Sequence, residues 1–221
     1  MANVLDKVQP KNKIQLKRLI DYAFKHNIYD LNFIDTSKIT NMSNLFINCE
    51  YDIDVSNWDV SNVTNMYRMF AWCKIFNSDI SNWDVSNVKN MNNMFYCCKN
   101  FDCDLSNWNV SNVTDMYSMF TACENFKGKG LDNWDVSKAE DMRFMFYNCK
   151  NFNCDLSNWD MSKALRINEM FYGCKNFEGK GLENWKLEKT LFYYDIFTGC
   201  DKVKLPSWYK AFLKRCNLEF F

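Results

Sequence analysis

The segment NWDVSNVTNM at residues 57–66 returns as NWDVSNVKNM, NWNVSNVTDM and NWDVSKAEDM. Its markers Trp58, Trp83, Trp108, Trp134, Trp159 and Trp185 are spaced 25, 25, 26, 25 and 26 residues apart, with degenerate copies at Ile34 and Trp208. A fixed period of this size marks a stack of similar coils, because no single unit can bury its own apolar face and each has to lie on the next. The repeat sets the fold.

Each unit divides into two halves. In LSNWNVSNV (105–113), Leu105, Trp108, Val110 and Val113 follow L-x-x-L-x-L spacing. That spacing predicts a short strand with Trp108 and Val110 facing inward and Asn107, Asn109 and Ser111 facing out. In TNMYRMFAWC (64–73), Met66, Met69, Phe70 and Cys73 fall at i, i+3, i+4 and i+7, which predicts one face of a short helix capped by Thr64. The connections alternate between NSDIS or NCDLS and the glycine forms GKGLD and GKGLE, where Gly128, Gly130, Gly179 and Gly181 are expected at positive φ.

The expected fold class is therefore α/β: a leucine-rich-repeat-like solenoid with short parallel strands on one face and short helices on the other, a single domain over 1–221. Residues 1–30 are expected to supply an N-terminal capping helix, centred on KNKIQLKRLIDYAFKHN (11–27) with Ile14, Leu16, Leu19, Ile20 and Phe24 at helical spacing. Residues 31–204 hold about seven repeats, and 205–221 form a C-terminal cap with Pro206 in its first turn.

With 48% hydrophobic and 17% aromatic residues the chain is too apolar for disorder. The 27 basic and 27 acidic side chains cancel, which argues against nucleic acid as a partner. No window approaches a membrane span, and the polar start MANVLDKVQPKNK lacks the apolar core of a secretory signal. The localisation expected on these grounds is cytoplasmic, with the bacterial surface or a non-classical secretion route as the alternative.

The unit I/L-S-N-W-D-V-S-N-V-T-x-M-x-x-M-F-x-x-C-x-x-F, preceded by IDTSKITNMSNLF, resembles the BspA-like leucine-rich-repeat proteins of bacteria over residues 31–200. The similarity is to the branch with W-D-V-S-N-V-T units also seen in mycoplasmal lipoproteins. The resemblance implies a leucine-rich-repeat-like solenoid and, for several relatives, a surface protein that binds host or matrix proteins. It implies no catalytic motif.

Eleven cysteines in a short chain can build a disulfide framework, but Cys49, Cys73, Cys98, Cys123, Cys149, Cys174 and Cys200 recur at one repeat position. They are expected as small buried apolar groups, reduced, with a soft-metal ladder as the less favoured reading. There is no C-x-x-C pair, and the single histidine, His26, sits at the end of the first helical segment. Neither a metal, a cofactor nor catalysis is expected.

Two surfaces are candidate partner sites. Asp59, Asp84, Asn109, Asp135 and Asp160 form a column on the predicted strand face, able to attract a basic peptide or, alternatively, to cap the local backbone. Trp72, Tyr96, Phe144, Tyr147 and Tyr172 vary from coil to coil on the predicted outer helix ridge, and outward aromatics are enriched at interfaces. The expected function is a non-enzymatic protein-binding scaffold whose partner is unnamed by the sequence. The alternative is an assembly component that packs through its helix face or its ends.

Overall fold

The computed structural model of the protein describes residues 7–191 and 193–216. Residues 1–6 of the polar N-terminal segment and 217–221 of the segment 205–221 lie outside the described residues. The chain winds as a succession of coils that stack in sequence order, each hydrogen-bonded to the next.

The α/β expectation is overturned. Among the described residues there are two α-helices, α1 (Lys13–Lys25) and α2 (Ser207–Arg215), and no extended strand. Parallel pairing is reduced to isolated bridges, which in the body of the repeat run Asn41, Asn65, Asn90, Asp115, Asp141 and Arg166, one residue from each coil.

Why the expected strand fails is visible in its own hydrogen bonds. The amides of Trp108 and Val113 donate to the carbonyls of Leu105 and Val110, so the segment is two tight turns in series. Asparagine and aspartate side chains hold the corners: Asp104 accepts from the Ser106 amide, Asn109 from Ser111, and Asp115 from Tyr117. Such Asx turns offer the backbone an alternative to a ladder, and three per coil are enough to bend it into a polygon.

The expected helices fail for a related reason. Within 66–73, the amides of Met69, Ala71 and Cys73 bond three residues back, while those of Arg68, Phe70 and Trp72 donate to the carbonyls of Asn92, Met94 and Tyr96, respectively, in the next coil. Arg68 and Trp72 are left-handed, with φ of 52° and 67°. A left-handed residue every fourth position turns half of the amides along the stack, where an α-helix would have kept them all within its own turn. Asn44, Asn48, Asn93 and Asn148 occupy the same two columns, the non-glycine residue type best tolerated there.

The core is a set of continuous columns. Phe46, Phe70, Phe95, Phe120, Phe146, Phe171 and Phe197 stack ring on ring, with neighbouring centroids 5.4–5.9 Å apart. Each tryptophan of the repeat is buried and its indole N–H donates to a carbonyl of the coil before, from Trp58 to Leu31 at 3.0 Å through to Trp185 to Leu156 at 3.3 Å. Burial of a polar N–H is tolerated because it is bonded, and the bond fixes the register of one coil on the next.

Both ends carry a helix. In α1 the Asn12 side chain accepts from the Gln15 amide at the N-terminus, and Leu16, Ile20 and Ala23 are buried against the first coil. Ile14, counted above with the inward residues, is instead 66% exposed. In α2 the Glu183 carboxylate receives the Ser207 amide and hydroxyl, and Tyr209 packs edge-on to Phe197 at 5.0 Å.

Candidate functional site

The cysteine column lies inside the stack. Cys73, Cys98, Cys123, Cys149 and Cys174 are buried, and each thiol donates to a phenylalanine carbonyl of the preceding coil at 2.9–3.0 Å. A thiol serves here as a small apolar filler that also satisfies a carbonyl. Burial pushes the Cys73 thiol up to about 12 and those of Cys98, Cys123, Cys149 and Cys174 well above the ordinary range. Only the thiolate reacts, so these five are expected to alkylate on the order of a hundredfold or more slower than exposed Cys216 in the native state. Intact-mass analysis after iodoacetamide should then find eleven modifications in denaturant. Rapid native labelling of a column cysteine would contradict the packing.

The acidic column sits on turns, so its assignment to a strand face is corrected. Asp59, Asp84, Asp135 and Asp160 are exposed, and each accepts from the amide of the serine two residues on, as Asn109 does from Ser111. Hydrogen bonds from the Ser86 and Ser137 hydroxyls and amides hold Asp84 and Asp135 below the usual carboxylate range, and the Ser162 amide chiefly does so for Asp160. The local capping role therefore accounts for the recurrence of Asp and Asn in this column.

The five aromatic candidates likewise lie on turns, so their assignment to a helix ridge is corrected too. They are nonetheless neighbours. Trp72, 44% exposed, meets Tyr96 edge-on at 5.3 Å, and Tyr147 stacks on Tyr172 at 4.8 Å. Tyr96, Phe144 and Tyr147 line one open cleft of about 220 Å³ with Tyr117, Ser118, Thr121 and Glu169. Phe144 lies steeply to both of its neighbours, at 73° to Tyr117 and 63° to Tyr147, with centroids 5.6 and 6.0 Å away. The Thr121 hydroxyl donates to the Phe144 carbonyl at 2.6 Å and anchors this corner.

Phe144 has a φ of 58°. A bulky residue in that region costs about 1 kcal/mol or more relative to glycine or asparagine. The same position is left-handed in the other coils, at Arg68, Asn93, Ser118, Glu169 and Asp195, so the conformation belongs to the repeat and only the bulky aromatic in it is particular to this coil.

Sequence reasoning missed Tyr117 and Glu169. Tyr117 stands nine residues after its tryptophan, a position that reads Tyr67, Asn92, Tyr117, Arg143 and Asn168 in successive coils. That variability was a usable signal, but a helical projection places the position away from the ridge. Glu169 replaces Phe144 in the next coil, and burial is the main cause that lifts its carboxyl above the usual range, with the Asp195 charge second.

Among the described residues no helix is long and apolar enough to cross a membrane, and no three His, Cys, Asp or Glu side chains converge to hold a metal. No curated protein and no solved structure matches the chain. One family does, over residues 14–130 and again over 104–208, and together these cover nearly all of the coils. The match spans most of the chain, and the chain belongs to the family described as Mycoplasma protein of unknown function, DUF285.

Proposed function

We propose that this protein is a non-enzymatic repeat scaffold that binds a protein partner through the aromatic cleft. The observation that carries the reading is the cleft itself: Tyr96, Tyr117, Phe144 and Tyr147, contributed by successive coils, gather in one place. Rigid, half-exposed aromatics are the commonest anchors of protein interfaces. The likeness of the units to BspA-like repeats supports the same reading.

The acidic column is the weaker surface, because its carboxylates already serve the backbone. The rival reading, an assembly component, would use the same aromatics or the ends of the stack. Helices over both ends speak against end-to-end growth.

Quantitative capture experiments separate these readings. A partner retained by the wild type should be lost with Phe144→Ser and Tyr147→Ser combined, and kept with Asp84→Asn and Asp135→Asn, which preserve the Asx acceptors. Sedimentation velocity of the free protein should show a monomer. Concentration-dependent oligomers abolished by the aromatic substitutions would move the cleft to the assembly reading, and capture insensitive to them would remove the cleft from the function.

A further inference from the structure

Building on the reading of the cleft as a protein-binding site, we infer that it takes a cationic side chain of the partner, the ammonium of a lysine or the guanidinium of an arginine. Three features of the site point to this ligand chemistry.

The first is the arrangement of rings. Tyr117, Phe144 and Tyr147 meet at steep angles around a cleft of about 220 Å³, open on one side. Aromatic faces carry negative potential and their edges positive, so a cation is held where a ring turns its face to the open space. A purely apolar anchor such as leucine would fit the volume as well, so shape alone does not decide.

The second is charge. Glu169 stands at the rim of the cleft, without an ion pair or a side-chain hydrogen bond among the described residues. The charged groups facing Glu169 or the rings of the cleft are Asp195 on the following coil, Arg68 toward Tyr96, and, around Tyr117 and Arg143, Asp115, Asp141 and Arg166. Asp141 is bonded to Arg143 at 2.6 Å and lies 3.7 Å from Arg166. The four carboxylates, Glu169 included, against three arginines leave one negative charge over, and the charge acting on Glu169 is that of Asp195. A carboxylate crowded by another and partly removed from water gains most from a cation placed beside it.

The third is that the protein already uses these rings in this way. The Arg143 guanidinium lies over the Tyr117 ring, 5.0 Å from its centroid. One ring of the cluster thus carries an internal cation, and Asp141 holds that cation in place. The rings of Phe144 and Tyr147 carry none, and Glu169 lines the same cleft, its charge acting on Tyr147.

The test uses small probes, so it is independent of finding the partner. N-acetyl-lysine amide, its Nε-trimethyl form and N-acetyl-arginine amide are titrated by saturation-transfer NMR, beside a neutral analogue in which a tert-butyl group replaces trimethylammonium. The expected result is millimolar binding of a cationic probe, about tenfold tighter than the neutral analogue, as one cation–π contact predicts. Phe144→Ser should weaken it about tenfold and Glu169→Gln about threefold, each with an unchanged circular dichroism spectrum.

Equal binding of the neutral analogue overturns the inference, and so does no saturation at about 10 mM probe, where a millimolar site is mostly filled. Preference for phosphocholine over all three cationic amino-acid probes would make this a lipid-headgroup site and overturn it as well. If a captured partner depends on Phe144 while no probe shows charge selectivity, the binding function stands and only the cationic anchor falls.

Discussion

Replacing Phe120 by alanine is expected to lower stability by about 3–5 kcal/mol, the range for deleting a buried aromatic. Phe120 is fully buried in the middle of the stack, between Phe95 at 5.6 Å and Phe146 at 5.7 Å, with Phe126 at 4.3 Å on its flank. The loss should exceed that of Phe197→Ala, whose ring has a coil on one side only and is closed by Tyr209 on the other. Because each coil touches chiefly its neighbours, a break in the middle also divides the stack into two shorter ones. Urea unfolding followed by circular dichroism should therefore broaden or split for the Phe120 variant and stay single for the wild type. A sharp, barely shifted transition would show that the phenylalanine column does not join the coils.

Gly130→Ala is expected to be of similar size, about 3 kcal/mol or more, for a different reason. Gly130 has a φ of 89°, and a Cβ there would come within 2.2 Å of the Ser106 backbone nitrogen in the coil before. Backbone cannot step aside as a side chain can. Gly179 provides the comparison, since its φ of 80° is equally unsuited to alanine but its Cβ would first meet the Val203 side chain at 2.7 Å. Gly179→Ala should cost about 1–2 kcal/mol, the conformational part alone. Equal losses at the two positions would mean that close approach of the coils adds nothing to the requirement for glycine.

The inward residues were legible because their spacing is common to two backbones. Met66, Met69, Phe70 and Cys73 are buried here as they would be on one face of a helix. What separates the two is the left-handed residue at every fourth position, and its trace in the sequence is the recurrence of Asn48, Asn148, Gly173 and Gly199 at the place of Trp72. Glycine and asparagine repeated inside an apparent helix are poor helix formers and good left-handed ones. In the other half, the D-x-S pairs were read correctly as able to serve the backbone, but their number per coil, which is what rules out a strand, mattered more than any single pair.

The site was legible in part for the same reason. Tyr96, Phe144 and Tyr147 were singled out because they differ from coil to coil, a criterion that needs no backbone. Bringing Tyr117 and Glu169 beside them required the true path of the chain, since only in these turns do their positions fall on the same side as Phe144.

The rows of amides that join the coils at Phe46, Phe70, Phe95 and onward all point the same way, each donor bonding to a carbonyl of the following coil. The molecule thus has two unlike faces along this row: carbonyls such as that of Leu45 at its start, and the equivalent amides of Asp195, Phe197 and Gly199 at its finish. A start and a finish that complement each other are the recipe for a filament, each copy extending the last without limit. The amino group of Lys17 on α1 lies 3.4 Å from the Leu45 carbonyl, occupying the acceptor that an incoming copy would need. Helix α1 is in this sense a terminator of chain growth as well as a cover for the core.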